Sequence, residues 1–506
     1  MPVLIGIDLG TQSVKTAVLD DSGAVRAVAQ AEYPIDTPRV GWAEQEPQTW
    51  WRATCETTQQ AIAEAGVGPD EIAGVGLSGQ MHGTVCIDRE GNPVRPAIIW
   101  ADGRSAAEVD ELTAEIGRDR LARLTANPLA AGFMAATARW LARHESETLW
   151  RASTLLLPKD YIRLRLTRQI ATDPSDAAST LLFDVAAREW SDQMVELVGI
   201  ERSLLPRVVA SHEVTGTVTR QAARASGIPA HTPVVAGGGD QPVSAIGNGV
   251  IAPGALLATL GTGGQLFSPA AEPAHDPDLR THTFCHAVPD CWYVMGAILS
   301  AGLCLRWLRD QVFGGLELDY AALSEAAAAA EPGAEGLLFL PYLLGERTPH
   351  MDARARGVFF GLALRHERRH IVRAVMEGVA FAMRDSLDIF RAIGVSPRRI
   401  IAAGGGAHNP LWRQVLADVF GTPLAVVHTR EPAAAGAALL AGVGVGVFPD
   451  FQQATERAVQ LGDTVEPNRA RVARYDELHE LFRSLYPRLK DAFHDLGAAY
   501  EAAPEA

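Results

Sequence analysis

The chain opens with Ile5-Gly6-Ile7-Asp8-Leu9-Gly10-Thr11-Gln12-Ser13-Val14-Lys15-Thr16-Ala17-Val18. Two β-rich runs flank a tight Gly10-Thr11-Gln12 turn, with an aspartate closing the first run and hydroxyls lining the turn. Backbone N–H groups of such a turn can hold phosphate oxygens, because glycine lets the main chain approach closely. Asp8 is placed to hold a magnesium ion that bridges those oxygens. A phosphate site on a hairpin, and not on a helix start, departs from the commonest nucleotide folds.

Working outward, alternation and turn residues predict strands over 3–8, 14–19 and 24–31, joined through Asp20-Asp21-Ser22-Gly23. A helix over 47–65 follows, with Pro47 in its first turn. A short buried strand over 72–77 opens onto Ser78-Gly79-Gln80-Met81-His82-Gly83. Strands over 84–87 and 97–100 lead to Asp102-Gly103-Arg104-Ser105, and residues 105–150 and 175–230 read as mainly helical. A strand over 232–236 breaks into Gly237-Gly238-Gly239-Asp240, and Gln241-Pro242 starts a helix through 246. From Gly254 the opening pattern returns: a run over 255–260, the turn Gly261-Thr262-Gly263-Gly264, and a run over 265–268. This weak internal repeat predicts two related domains, each offering one phosphate-facing hairpin. A strand over 399–403 feeds Gly404-Gly405-Gly406 and a helix over 411–420 leaves that loop. After 468 one long surface helix is expected, ending in an acidic, frayed stretch over 498–506.

Composition narrows the function. A chain of 506 residues, 47% apolar and 21% charged, is that of a globular protein of two or three domains. No apolar run approaches the ~18 residues needed to span a bilayer. No basic stretch precedes an apolar one at the N-terminus, so a cytoplasmic location is expected. The five cysteines are scattered without CxxC pairs, which fits buried thiols in a reduced compartment. A net charge of −15 argues against nucleic acid or anionic membrane as partners. The only lysines are Lys15, Lys159 and Lys490, none in a P-loop context. Phosphate must therefore be held by backbone amides, helix starts, a metal, and Lys15 or arginines. The literal GxGxxG at Gly74–Gly79 lies in a β-rich stretch with no helix after it, which argues against a dinucleotide site.

Several stretches together resemble the FGGY carbohydrate kinases, within the actin, Hsp70 and sugar-kinase superfamily, over essentially the whole length. Pro158-Lys159-Asp160-Tyr161-Ile162-Arg163 resembles the first family signature, with Leu164-Arg165 where a Trp is common. Gly357-Val358-Phe359-Phe360-Gly361-Leu362, followed by His370-Ile371 and Ala374-Val375-Met376-Glu377, fits the second. Gly41–Gln45, Ser78–Gly83, Ile99–Arg104 and Leu344-Gly345-Glu346-Arg347-Thr348-Pro349 are similar to loops of the xylulose-phosphorylating branch. The chain departs from that branch at 134–140, which lacks Thr-Ala-Pro-Lys, and at Asp240-Gln241, where Asp-Asn is common.

The resemblance implies an α/β fold of two ribonuclease H-like domains around a central cleft. A sugar-binding domain over 1–248 would carry the base, an ATP-binding domain would span 249–490, and a tail 491–506. It implies ATP and Mg2+ as cofactors and leaves a homodimer open. Asp240 becomes the general base, although an aspartate after three glycines also reads as a helix N-cap. Gln80, Met81, His82 and Gln241 are assigned to the sugar. Asp102 and Arg104 join them, or form a helix-start pair. Asp8 is assigned to magnesium, and Thr11, Gln12, Ser13, Lys15, Gly261 and Thr262 to the phosphates. Gly302, Gly405 and Asn409 are assigned to the nucleoside, with a packing role open for Gly302. The implied reaction is ATP-dependent phosphorylation of D-xylulose. Alternatives are a family kinase for another ketose or polyol (ribulose, erythrulose, gluconate or glycerol type) and an actin- or Hsp70-like switch that binds protein.

Overall fold

The structure, a computed structural model, describes residues 1–316 and 318–501. Each half of the chain is built on a seven-stranded mixed sheet. The first runs Val214–Thr217, Pro233–Val235, Ile72–Gly79, Val3–Leu9, Ser13–Asp20, Val25–Glu32, with Gly238–Gly239 added beside Ile72–Gly79. The second runs His282–Cys285, Trp292–Ile298, Gly264–Ala270, Ala255–Leu260, Arg399–Ala403, Leu424–Val427, Leu461–Val465. The correspondence is close. Val3–Leu9 pairs antiparallel with the strand after its hairpin and parallel with Ile72–Gly79. Ala255–Leu260 does the same with Gly264–Ala270 and Arg399–Ala403. The repeat seen in the two Gly/Thr turns is thus a repeat of whole sheets.

Val3, Leu4, Ile5, Ile7 and Leu9 are all buried, so this strand is covered on both faces, as its unbroken apolar run requires. One cover is the helix Pro47–Ala65, which contacts Ser13–Asp20 and Val25–Glu32. The opposite cover comes from the far half of the chain, the helix Pro432–Gly444. Its backbone lies so close to the sheet that a Cβ on Gly6 would stand 1.8 Å from the Ala434 carbonyl oxygen, and one on Gly76 1.8 Å from that of Ala437. The GxGxxG glycines lie inside the strand Ile72–Gly79, and Gly76 serves helix packing. The same helix crosses Asp240–Gly247, glycine on carbonyl: Cβ atoms on Gly436 and Gly247 would meet the Val243 and Pro432 oxygens at 2.0 and 1.9 Å. A shared core of Leu4, Ala17, Val243, Ile246, Ala434 and Leu439 fixes this crossing. Packing therefore does not follow the 248/249 division along the chain.

Three expectations need adjustment. Residues 175–230 are only partly helical: they hold Pro174–Ser179, Asp192–Val198 and Arg220–Ser226, separated by short strands. The helix expected from Gln241 starts one residue earlier, with Gly239 as its N-cap. The C-terminal helix runs Arg469–Glu501, so the tail over 491–506 is helical to 501, and 502–506 lie outside the described residues. Among the described residues no helix is long and apolar enough to cross a membrane.

Candidate active site

Parallel strands ending at one edge bring the acidic residues together. Asp8 stands opposite Ser78, and Ser78 opposite Gly238, on three adjacent strands. The Ser78 hydroxyl donates to Asp8 Oδ1 at 2.8 Å. Asp240 follows two residues beyond Gly238, at the first position of its helix, so it is not the N-cap. Burial, followed by the charge of Asp8, pushes the Asp240 carboxyl up to about 7. Gln241 donates its backbone N–H and its side-chain amide to that carboxylate. Burial also raises Asp8 to about 6, against the Ser78 hydrogen bond and the Lys15 charge that lower it. The Asp8 charge thus disfavours ionisation of Asp240. Among the described residues no group of three or more His, Cys, Asp or Glu side chains could cage a metal. One or two carboxylates with phosphate oxygens and water is how magnesium is commonly held, so Asp8, with Asp240 nearby, fits that ion.

Met81 and His82 come beside Asp240. Met81 is buried, and its side chain fills the space a Cβ on Gly239 would need, at 2.8 Å. His82 adopts a left-handed φ of 74°, which turns its ring onto Phe133, centroid to centroid 3.6 Å. Its Nδ1–H donates to the Ser179 carbonyl at 2.8 Å, because a carbonyl can only accept. Nε2 is then left as an acceptor. Burial, above all, holds the ring down to about 3, so it is neutral. The opposite wall comes from the second half: His282 and Phe284 lie near these rings, and the Tyr293 hydroxyl is 4.0 Å from Met81 Sδ. His282, Phe284 and Tyr293 escaped sequence reading, since no local motif marks them.

Behind the pair lies a fully buried ion cluster. Lys159 Nζ contacts Asp160, Asp173 and Asp176 at 2.7, 3.0 and 3.3 Å. Asp173 accepts from the Ser175 hydroxyl, which in turn accepts from the Gly239 N–H at 3.1 Å. The Ser179 hydroxyl, bonded to the Asp176 carbonyl, accepts from the His82 N–H. One buried cation therefore braces both the Asp240 turn and the His82 turn.

The remaining predicted residues divide. Gln80 is buried; its amide donates to Gln45 Oε1 at 3.0 Å, and its own Oε1 is unpartnered. Asp102 and Arg104 bond to each other, with Asp102 also accepting from the Ala43 N–H and Arg104 reaching Glu44 and stacking on Trp42 at 3.6 Å. This loop network holds 41–45 against 97–104 and leaves Arg104 Nη1 buried without a partner. Lys15 is held by Glu431 at 2.6 Å. Thr11, Gln12 and Ser13 form the first hairpin turn, where the Trp100 indole N–H donates to Thr11 Oγ1 at 2.8 Å. Trp100 also lines a cavity of about 370 Å³ with Gly261, Thr262 and Gly263, so this indole links the first hairpin turn to the space beside the second.

A larger cavity of about 820 Å³ opens from the second hairpin. It is lined by Gly261, Thr262, Gly302, Gly405 and Asn409, together with Tyr320. A Cβ on Gly405 would meet nothing within 4 Å, so this glycine faces open space. One on Gly302 would lie 2.6 Å from the Gly261 carbonyl oxygen, which gives Gly302 a packing role as well. Asn409 caps the helix Pro410–Phe420 through Oδ1, on the Trp412 N–H at 3.1 Å. Oδ1 also takes the Ser324 hydroxyl, and the amide nitrogen is left for a ligand.

Two carboxylates at the edge of one sheet, a Gly/Thr hairpin repeated in each half, a neutral histidine pocket and a long cavity define a two-domain small-molecule kinase. The family model for the FGGY family of carbohydrate kinases, N-terminal domain, matches residues 3–247, and that for its C-terminal domain matches 256–445. The chain belongs to this family. It is 39% identical to the xylulose kinase of Escherichia coli over 96% of this chain and 99% of that one. It is 36% identical to that of Bacillus subtilis over 97% and 98%. The crystal structure of xylulose kinase from Rhodospirillum rubrum superposes with a TM-score of 0.90 at 32% identity, covering 97% and 100%.

Proposed function

We propose that the chain transfers the γ-phosphoryl group of ATP to D-xylulose, giving ADP and D-xylulose 5-phosphate. The observation that carries this reading is the placement of Asp240 beside both Met81-His82 and Asp8. In it, residues 1–248 supply the sugar site and base, and 249–490 most of the nucleotide site. The sugar lies against Met81, and a hydroxyl donates to His82 Nε2. The Asp240 carboxylate accepts the proton of the attacking hydroxyl, its raised pKa suiting it to that exchange near neutral pH. Adenosine occupies the larger cavity, over Gly405 and beside the Asn409 amide nitrogen. Backbone N–H groups of the 10–13 and 261–264 turns face the phosphates. Magnesium held at Asp8 would supply charge neutralisation on the phosphate oxygens. Gln241 keeps the Asp240 carboxylate oriented, and closure of the halves excludes water.

The preference for xylulose over other acceptors rests on relatives 35–39% identical over nearly full length, against 28% for a gluconokinase of Bacillus subtilis. Phosphorylation rates across ketoses, polyols and gluconate, with product position read by NMR, test it. D-Xylulose should rank among the best acceptors. Another acceptor far ahead of it would refute the assignment, and sugar-indifferent ATP hydrolysis would favour a nucleotide switch.

A further inference from the structure

Among the described residues, Arg347 is the one charged side chain lining the cavity between Trp100 and the Gly261-Thr262-Gly263 hairpin. Among the described residues no carboxylate pairs with its guanidinium, although the chain carries fifteen more acidic than basic residues. Two other cations near the site are occupied: Lys15 by Glu431, and Arg104 by Asp102 and Glu44. Arg347 is free because its neighbour is used elsewhere. Glu346 is buried, and its Oε1 accepts the backbone N–H groups of Leu299 and Arg347 at 3.1 and 2.8 Å. It thus pins the Arg347 backbone and leaves the guanidinium unpaired. Thr348 completes the clamp, through its N–H to the Ala297 carbonyl at 3.0 Å and its hydroxyl to that of Arg280 at 2.8 Å. The Arg347 charge also reaches the opposite wall, where it adds to burial in depressing His82 and His282. The guanidinium therefore lies between the sugar-facing histidines and Gly261-Thr262-Gly263.

We propose that Arg347 is a catalytic residue whose guanidinium donates hydrogen bonds to the non-bridging oxygens of the phosphoryl group during transfer, and then to the phosphate of the product. This rests on the function proposed above. In the step, a bond forms between the acceptor hydroxyl oxygen and the γ-phosphorus as the bond from that phosphorus to the β,γ-bridging oxygen breaks. The hydroxyl proton passes to Asp240, and ADP leaves with the electron pair. Arg347 gains and loses nothing; its planar fork matches the three oxygens on which charge accumulates.

The test is Arg347→Gln and Arg347→Lys, assayed with the acceptor that wild-type protein turns over fastest, so that a different preferred sugar corrects the substrate and leaves this inference open to its own measurement. In Arg347→Gln, kcat should fall about 100- to 1000-fold, in the range seen for loss of one preorganised charge-stabilising donor. Arg347→Lys should recover part of it. Calorimetry should show affinity for the unphosphorylated acceptor within about threefold of wild type, which also establishes that the variant is folded, and affinity for the phosphorylated product at least about tenfold weaker. A kcat within about fivefold of wild type, or a loss of acceptor affinity as large as that of product affinity, would overturn the assignment.

Discussion

Replacing Asp240 by Asn should stabilise the ligand-free protein while disabling it. The carboxyl is raised from 3.8 to about 7, chiefly by burial and then by Asp8. About three pKa units correspond to ~4 kcal/mol of cost for carrying the charge in the folded state. Part of the carboxylate surface is open to the cleft, and solvent there reduces the penalty, so about 2 kcal/mol is the expected gain. The sign follows from linkage. A raised folded-state pKa means that the folded protein binds the proton more tightly than the unfolded chain does. Wild type therefore loses stability as pH rises from about 4 to about 7, and the loss is constant above that. Asn carries no charge and escapes the penalty. If half the chain melts as one unit of about 250 residues, 2 kcal/mol raises Tm by about 4 °C. Thermal melts at pH 8 and pH 5 are the assay, with the gain at pH 5 less than half that at pH 8. Turnover should fall by more than ~100-fold. An Asp240→Asn protein no more stable than wild type at pH 8, or one with the same gain at both pH values, would refute the electrostatic argument.

Further outcomes follow from the same geometry. Gly405→Val should leave Tm unchanged and raise KM for ATP at least about tenfold, since its side chain enters open cavity; Gly302→Ala should cost about 1–3 kcal/mol in a denaturant titration, because its Cβ meets the Gly261 carbonyl. Lys159→Met leaves the buried Asp173 and Asp176 without their cation, while Asp160 keeps Arg163, and equilibrium unfolding should show a loss of about 3–5 kcal/mol. In the Asp240→Asn background, calorimetric sugar affinity should be flat from pH 5 to 8, because burial holds His82 near 3; an inflection near 6.5 would contradict the neutral Nδ1–H tautomer.

What could be read in advance was what short-range pattern determines. The helix Pro47–Ala65 and the strands Ala255–Leu260 and Arg399–Ala403 stand where alternation, Pro47 and the glycine turns put them. The acidic pair was legible because each aspartate ends a strand run beside glycines. The rest depends on distant contacts. Pro432–Gly444 is alanine- and glycine-rich with no polar face, so nothing local says that it covers the first sheet. Residues 175–230 are rich in helix formers, yet Val214–Thr217 is drawn into the sheet by Pro233–Val235. Arg347 sits in a quoted motif, but its direction is set by Glu346 and Thr348 gripping a strand fifty residues earlier. The contacts of Arg104 with Glu44 and Trp42 were equally out of reach, since those partners lie about sixty residues away in the chain.

The crossing of Asp240–Gly247 with Pro432–Gly444 limits how this kinase can breathe. Backbones that touch through Gly247 and Gly436 have no side-chain layer to shear, so sliding would drive carbonyl oxygens into main-chain atoms. Swivelling about the contact meets no such obstacle. Asp240, the proton acceptor proposed above, is anchored at this fulcrum, on the very helix that takes part in the crossing, so a swivel about the contact would scarcely move it from its station.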